Sequence, residues 1–363
     1  MTASAGASPW ASRDTRPVCV GGVRIGGAAP VSIQTMTKTD TCDVPATVAQ
    51  IERSAAAGAD LVRVAVPSLR AIEPFAEIAR QSPLPVIADI HFDYRIAVES
   101  ARAGAAKLRI NPGNIGDDER LSAVIEAATE ADIPIRVGVN SGSLEADLLE
   151  RYGGVTADAL ADSALRTIER MHRLGFEDLV VSIKATDVPM TVRANRALAA
   201  RTDLPLHLGI TEAGFGCAAA VKSAAGLGIL LAEGIGETVR VSMTDPPEDE
   251  VEVATWLLRS LGLREGPWLT SCPTCGRCQV ELAPLAREVE MALRELDAPL
   301  HVAVMGCEVN GPGEARQAHV GLAAGRGRAV IFARGEQLRT VPIEHAVEEL
   351  MIEARRIAEE ISG

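Results

Sequence analysis

The sequence predicts an α/β protein, in which an N-terminal TIM-like (β/α)8 barrel is followed by a small C-terminal α/β domain. Eight short β-branched runs alternate with eight Ala- and Leu-rich segments of helical spacing, over the roughly 250 residues that such a barrel needs. The alternation stops near Gly266-Pro267. Hydrophobic residues make up 47% of the chain and aromatic residues only 3%, which predicts an aliphatic core.

Each predicted strand is followed by a polar or Gly-containing loop and then by a helix. The strands are Val31–Met36, Leu61–Val66, Pro85–Ile90, Lys107–Ile110, Ile133–Val139, Leu179–Ile183, Leu206–Ile210 and Val239–Met243. The helices are Pro45–Ala57, Leu69–Arg80, Tyr94–Ala103, Asp117–Ala131, Ala157–Leu174, Pro189–Ala200, Ala213–Ala232 and Glu248–Leu261. Gly58, Gly104 and Gly175 follow three of them as stop signals. The alternative fold is a doubly wound open sheet, but Ile33–Lys38 lacks the Gly-rich turn that usually follows its first strand.

The domain boundaries follow from the same pattern. We expect a disordered tail over residues 1–16, a barrel over 17–265 and a separate domain over 266–363. In the last, the predicted elements are a helix near Gln279–Leu296, strands at Leu300–Met305, Ala318–Ala323 and Arg328–Ala333, and a closing helix near Ile343–Ile361.

Charge and cysteine usage exclude several classes of function. A net charge of −13 argues against a nucleic-acid or membrane partner, because either needs a basic surface. The sequence contains neither a secretory signal pattern nor an uncharged apolar run long enough to span a membrane. Seven cysteines, three of them within Cys272–Cys278, are typical of metal chemistry in a reducing compartment. We therefore expect a cytoplasmic protein.

Cationic side chains lie near the carboxyl ends of five predicted strands, where barrels gather their reactive groups. They are Arg63, Arg109, Arg136, Lys184 and Arg240. Like charges that converge in a pocket need an anion, and Arg forks match phosphate oxygens. The pattern predicts a ligand with more than one phosphate. The alternatives are that each Arg pairs with a neighbouring carboxylate, or that a register shift of one residue turns the arginines outward.

Further polar residues follow the same strand ends and complete the predicted ligand site. They are Asp89, His91, Asn140, Ser141, Glu212 and Ser242. Asp89 and Glu212 are alternatively neutralising partners of the arginines. His91 and His207 are alternatively packed barrel histidines.

Two Gly/Pro-containing turns near the C-terminus carry thiols and a carboxylate. Three interpretations compete: structural zinc on four cysteines, a cluster held by four thiolates including Cys278, and a [4Fe–4S] cluster held by Cys272, Cys275, Cys307 and Glu314. Zinc sites of this class usually pair two knuckles, and Cys307 has no such partner. The third interpretation is favoured. A carboxylate is a weaker partner for cluster iron than a thiolate, so substrate can displace Glu314.

Several segments resemble one family closely. They are 271–277 (SCPTCGR), 306–315 (GCEVNGPGEA), 107–114 (KLRINPGN), 136–143 (RVGVNSGS), 88–92 (ADIHF) and 209–214 (GITEAG). At these residues, and over most of its length, the chain resembles the 4-hydroxy-3-methylbut-2-enyl diphosphate synthases. These are flavodoxin- or ferredoxin-dependent oxidoreductases of the methylerythritol phosphate pathway to isoprenoids.

The resemblance implies a barrel that binds 2-C-methyl-D-erythritol 2,4-cyclodiphosphate and a C-terminal [4Fe–4S] domain with Cys272, Cys275, Cys307 and Glu314 as ligands. It also implies a homodimer in which the cluster domain of one subunit caps the barrel of the other. We expect Glu212 to deliver a proton to the departing hydroxyl and Asn310 to help position substrate. Two other functions stay open: a redox-neutral, pteroate-synthase-like enzyme with a structural metal, and a cluster-based redox sensor.

Overall fold

The computed structural model describes residue 10 and residues 12–140, 142, 144–307 and 311–362. The chain forms two compact units that divide between Arg264 and Glu265. Each unit has its own apolar core.

The first unit is a parallel eight-stranded barrel preceded by a short antiparallel hairpin. The hairpin strands are β1 (Val18–Val20) and β2 (Val23–Ile25), and the barrel strands are β3 (Ser32–Met36), β4 (Leu61–Ala65), β5 (Val86–Asp89), β6 (Lys107–Ile110), β7 (Ile135–Asn140), β8 (Leu179–Lys184), β9 (His207–Leu208) and β10 (Thr238–Val239). The hydrogen-bonded order runs from β8 back to β3 and then through β10 to β9. An isolated parallel bridge between Val181 and Leu206 joins β8 to β9 and closes the barrel. The predicted barrel is confirmed.

Helices connect the barrel strands. They are α1 (Val44–Ala56), α2 (Ile72–Gln81), α3 (Tyr94–Arg102), α4 (Pro112–Ile115), α5 (Asp118–Glu130), α6 (Ala146–Tyr152), α7 (Ala157–Arg173), α8 (Val188–Ala199), α9 (Gly216–Ala232) and α10 (Pro247–Ser260), with a 3₁₀ turn at Leu69–Ala71. The side chains of Asp43, Asp93, Asp117 and Asp187 cap α1, α3, α5 and α8 by accepting a backbone N–H in the first turn. Gly58, Gly104 and Gly175 have positive φ values of 103°, 95° and 82°, as the stop signals predict.

The strand residues alternate between two environments. Leu108 and Ile110 of β6 belong to the apolar cluster under the helices. Lys107 and Arg109, at the alternate positions, are buried but lie outside that cluster. Because side chains alternate along a strand, the charged residues line the barrel interior.

The amino-terminal ends of several barrel strands are covered by the chain that precedes β3. Val20 and Ile25 of the hairpin pack with Leu61 and Ile87 in a separate buried cluster. Residues 12–16 were expected to belong to a disordered tail, and for them that prediction is wrong. Arg13 donates to the carbonyl oxygens of Thr202 (2.6 Å) and Leu204 (2.7 Å).

The second unit is a five-stranded mixed sheet with helices. Its elements are β11 (Trp268–Ser271), α11 (Leu282–Leu293), β12 (His301–Met305), α12 (Gly311–Ala315), β13 (Val320–Gly325), β14 (Arg328–Ala333), β15 (Glu336–Pro342), a 3₁₀ turn at Ile343–His345 and α13 (Ala346–Ser362). The strands stand in sequence order, with β11, β12 and β13 parallel and the last two antiparallel. Residues of α11 and α13 pack in the unit's main core, whereas Ala315 at the end of α12 lies in a smaller cluster. None of the helices in the described ranges is both long and apolar enough to cross a membrane.

Candidate active site

The five predicted cations all lie inside the barrel. Arg63, Arg109, Arg136 and Lys184 are buried, and the side chain of Arg240 is 13% exposed. Side chains alternate along a strand, and the strand neighbours of Arg63, Arg109 and Arg136 pack in the outer apolar cluster. The alternative of a one-residue shift in register is therefore wrong. One cation comes from each of the strands β4, β6, β7 and β8, and one comes from the segment after β10.

Asp89, at the end of β5, links two of these arginines. Its Oδ1 accepts a hydrogen bond from Arg109 Nη1 at 3.0 Å, and its Oδ2 lies 3.7 Å from Arg63 Nε. His91 Nε2 lies 3.5 Å from the same carboxylate. Burial alone would raise the pKa of Asp89, but Arg63, His91 and Arg109 outweigh it and hold that pKa well below its usual range. Asp89 is therefore an ionised brace for both guanidinium groups.

Arg63 has a second, softer contact. Its Nε and Nη2 donate to the sulfur of Met36 at 3.1 and 2.8 Å. Burial lowers the pKa of Arg63 to about 9, although Asp89 opposes the shift. A thioether is a weak acceptor, so the guanidinium keeps capacity for a better one.

A buried carboxylate on α10, which the sequence analysis did not single out, supports Arg240. Glu250 is 2% exposed, and its Oε2 lies 3.6 Å from Arg240 Nη2. Its Oε1 lies 3.1 Å from Lys38 Nζ and accepts the Met243 N–H at 3.0 Å. Glu250 sits in an acidic run of the sequence, where nothing distinguishes it from its acidic neighbours.

Gly209 makes room for one of the cations. A Cβ at this position would lie 2.8 Å from Lys184 Nζ. Burial, followed by repulsion from Arg136 and Arg240, lowers the pKa of Lys184 well below its ordinary value. Burial and the guanidinium groups of Arg63 and Arg109 likewise lower the pKa of Arg136.

The interior also holds polar groups that the predicted site did not include. Lys107, His207 and Gln34 are each at most 1% exposed. In the described part of the chain, Lys107 Nζ, both His207 ring nitrogens and both Gln34 amide atoms have no hydrogen-bond partner, and neither do Arg136 Nε and Nη1. Period-two alternation could have found Lys107, because it lies two residues before Arg109 on one strand face.

The remaining predicted residues of the barrel lie at its rim or outside the description. Asn140 and Ser242 are half-buried, and Asn140 pairs in register with Lys184. Glu212 is exposed, has a φ of 53° and lies 3.4 Å from the Thr186 hydroxyl, which donates to it. Ser141 and Asn310 lie outside the described residues.

In the second unit, the predicted cluster ligands follow the carboxyl ends of neighbouring parallel strands. Cys272 follows β11, and its N–H donates to the Val304 carbonyl of β12 at 3.2 Å. Cys307 is buried two residues after β12, and Glu314 is exposed on α12. The seven cysteines, all of them described, form no disulfide. Within the described ranges, no three His, Cys, Asp or Glu side chains converge as they would around a single metal ion.

Arg277 connects three of these four residues. A side-chain hydrogen bond to Cys275, with the negative charges of Cys275, Cys307 and Glu314, raises the pKa of Arg277. In return, the backbone N–H and side chain of Arg277 lower the pKa of the Cys275 thiol. Soft thiolates beside a cation and turn N–H groups suit an iron–sulfur cluster, so the residues present fit that group.

Cys278 occupies a different environment. Its Sγ donates to the Val280 carbonyl at 3.2 Å, and a Cβ at Gly306 would lie 2.5 Å from the same sulfur. Like Cys272, it packs against the main apolar core of the unit. The ligand set with Glu314 and the set with Cys278 both stay predictions.

Comparisons with known proteins cover both units. The GcpE TIM-barrel domain matches residues 15–255, and the GcpE protein C-terminal domain matches residues 268–356. A Geobacter sulfurreducens protein named 4-hydroxy-3-methylbut-2-en-1-yl diphosphate synthase (flavodoxin) is 53% identical over 95% of this chain and 98% of its own. An Anoxybacillus flavithermus protein of the same name is 51% identical over 96% of both chains.

Among solved structures, Yersinia pestis dihydropteroate synthase is similar at 15% identity and a TM-score of 0.49, over 68% of this chain and 98% of that one. The two domain matches and the identities near one half agree with the resemblance of the sequence motifs. This chain belongs to the GcpE family.

Proposed function

We propose that this chain is a cytoplasmic oxidoreductase of isoprenoid biosynthesis. It converts 2-C-methyl-D-erythritol 2,4-cyclodiphosphate to 4-hydroxy-3-methylbut-2-enyl diphosphate with electrons from flavodoxin or ferredoxin. The names of its relatives support the product and the flavodoxin donor. The observation that carries the proposal is the excess of positive charge inside the barrel. Six cationic side chains face two buried carboxylates there, namely Arg63, Lys107, Arg109, Arg136, Lys184 and Arg240 against Asp89 and Glu250.

The reaction is a reductive dehydration with ring opening. The cyclodiphosphate dianion, two electrons and one proton give the open diphosphate trianion and one water. A carbon–oxygen bond to one phosphate breaks, and the diphosphate gains a free anionic oxygen. The barrel arginines and Lys184 hold the phosphate oxygens and stabilise the charge that develops on the leaving oxygen. Asp89 and Glu250 hold the guanidinium groups in place before the ligand arrives.

The smaller polar residues complete ligand binding. We assign Asn140, Ser141 and Ser242 to hydrogen bonds with the substrate, and His91 to the position beside Asp89 and Arg109. Asn310 assists from the Cys/Glu loop. Glu212 delivers the proton with which the hydroxyl departs as water, because an exposed carboxyl at a strand end can exchange protons with solvent.

The cofactor in this proposal is a [4Fe–4S] cluster, which supplies single electrons and a Lewis-acidic iron when bound. Cys272, Cys275 and Cys307 hold it with Glu314. Arg277 favours the thiolate form of Cys275. Glu314 would be the weakest of the four partners and therefore the exchangeable one. Residues 17–265 form the substrate-binding domain and residues 266–363 the cluster domain, and the active protein is a homodimer.

Turnover tests this proposal. Anaerobically reconstituted protein, the cyclodiphosphate, dithionite and a viologen dye are expected to yield the open diphosphate, measured by mass spectrometry. Arg136→Gln is expected to lower kcat/KM about 100-fold, because a charge-assisted contact worth about 2–3 kcal/mol is lost. The exposed Arg173→Gln serves as the control and should match the wild type.

The alternatives predict other results. A redox-neutral enzyme would show no dependence on the reductant, and a redox sensor would bind the cyclodiphosphate without converting it. Zinc in place of equal amounts of iron and acid-labile sulfide would contradict the cluster. Full activity in Glu314→Ala would contradict the exchangeable ligand.

A further inference from the structure

Lys107 is fully buried in the barrel interior. It is the first residue of β6, and its side chain points to the same interior as Arg109 two residues later. Its exposed fraction is 0%. Within the described residues, its Nζ has neither a hydrogen-bond acceptor nor a carboxylate at ion-pair distance.

The groups around Lys107 offer it no free negative charge. Cations face the interior from the other strands: Arg63 on β4, Arg136 on β7, Lys184 on β8 and Arg240 after β10, with Arg109 on β6 itself. The neutral groups are Gln34 on β3 and His207 on β9. The two carboxylates are already engaged, Asp89 by Arg63 and Arg109 and Glu250 by Arg240 and Lys38.

A buried ammonium in this environment is unfavourable. It loses its hydration, gains no acceptor and is repelled by guanidinium groups, whereas a neutral amine avoids all three costs. Burial, with Arg136 and Arg63, accordingly holds the pKa of Lys107 well below its ordinary value. A ligand with two negative charges favours the ammonium over the neutral amine, because it supplies the negative charge that Lys107 otherwise lacks.

We propose that Lys107 is a neutral amine in the ligand-free protein and takes up one proton from solvent when a cyclic diphosphate binds among the arginines. The inference rests on the proposed function, since it assumes a ligand of that charge in the barrel. It makes Lys107 a proton acceptor coupled to binding, so that the site gains a positive charge only when an anion is there to use it.

Lys107 suits this role better than its neighbours. The arginines stay charged because their cation is delocalised. Lys184 is 8% exposed, whereas Lys107 is 0% exposed. Burial and then the surrounding cations, led by Arg136, keep the pKa of His207 well below its ordinary value, and that ordinary value is itself lower than that of a lysine.

Calorimetric titration tests the proposal. The probe is the substrate cyclodiphosphate without reductant, so that no turnover occurs. Each of its phosphorus atoms carries a single strongly acidic oxygen, and the probe therefore takes up no proton of its own near neutral pH. Binding enthalpies in two buffers of different ionisation enthalpy give the number of protons taken up. At pH 8 we expect about one proton per site for the wild type and none for Lys107→Met.

The pH dependence of affinity provides a second, independent measurement. In the pH range where binding takes up a proton, the affinity of the wild type for the cyclodiphosphate is expected to fall about tenfold for each unit by which the pH rises. The affinity of Lys107→Met is expected to stay level. His207→Gln is the matched interior control and should still take up the proton. Lys222→Met, on the barrel helix α9, controls for the loss of a lysine.

Each outcome decides the question. Binding without uptake in the wild type, uptake that survives in Lys107→Met, or uptake lost only in His207→Gln would overturn the inference and leave the ligand site standing. Failure of the wild type to bind the cyclodiphosphate would overturn the proposed function together with it.

Discussion

Lys107 and Asp89 face the same barrel interior, and they have opposite effects on the stability of the fold. The carboxylate of Asp89 forms ion pairs with two arginines, whereas Lys107 Nζ has no partner among the described residues. Burial of a charge is tolerated only where it is paired, so the first residue supports the fold and the second opposes it. A residue that lowers stability but occupies the centre of a ligand site is typical of a group kept for binding.

The first prediction concerns the stability of Lys107→Met. An unfolded lysine titrates near its ordinary value, about 10.4, and the folded pKa lies well below it. Between the two, the unfolded chain binds more protons, so wild-type stability rises with pH and the penalty from Lys107 grows as pH falls. The variant should therefore melt a few degrees higher, with a larger gain at pH 7 than at pH 10. Thermal melts across this range, with Lys222→Met as control, measure it; an equal gain at every pH would contradict the titration.

The second prediction separates the cysteines of one turn. Cys275 is hydrogen-bonded by Arg277, whereas the Cys278 thiol donates to Val280. After anaerobic reconstitution, Cys278→Ser should keep the iron and sulfide content of the wild type, and Cys275→Ser should lose most of both. Iron loss from Cys278→Ser as large as that from Cys275→Ser would support the four-thiolate alternative.

At the scale of elements, α10 takes part in the ligand site without presenting a residue to it. The Glu250 side chain extends from this helix and pairs with Arg240 after β10 and with Lys38 after β3. One carboxylate thus fixes the segments after two neighbouring strands, since β3 and β10 pair directly. The position of α10 therefore helps to set the position of Arg240, and Glu250 acts as a positioning residue.

The third prediction follows from this link. Glu250→Gln keeps the shape but removes the charge that holds Arg240, so KM for the cyclodiphosphate should rise about tenfold, equal to about 1.4 kcal/mol of binding, with kcat changed less. The melting temperature should fall as well, because two cations lose a buried partner. Glu248→Gln on the same helix, whose partner is the surface residue Arg53, is the control. Equal KM values in the two variants would refute the role of Glu250.

The sequence predicted the elements unevenly, for physical reasons. The barrel strands are visible as β-branched runs because both of their faces are buried. The hairpin Val18–Ile25 has strands of three residues, too short for a period, and β15 (Glu336–Pro342) is a mostly exposed edge strand. The interior cations follow from alternation, whereas the contact of Glu250 with Lys38 depends on closure of the barrel, which no local pattern encodes.

The described residues of the whole molecule form two main apolar cores, one in the barrel and one in the C-terminal sheet. A ligand stabilises only the unit that binds it, by an amount set by its concentration and affinity. The proposed anion-binding residues lie in the first unit, and the thiols of the proposed cluster lie in the second.

The fourth prediction is that calorimetry resolves two unfolding transitions. The cyclodiphosphate should raise the temperature of one, and cluster loading should raise the other. Circular dichroism of the helical signal and absorbance of the cluster, recorded on the same sample, assign each transition to its unit. A single transition that both ligands shift equally would contradict the independence of the cores.

The hairpin at the amino-terminal ends of the barrel strands has a kinetic consequence. Val20 and Ile25 pack against Leu61 and Ile87 at that end, so we expect the interior to exchange with solvent mainly through the opposite end. The proton destined for Lys107 and the ligand would then enter by the same route. A seated ligand obstructs that route, so the ligand is expected to bind the minor population in which Lys107 is transiently protonated. The pH dependence of binding then belongs to the association rate, and the residence time stays nearly constant.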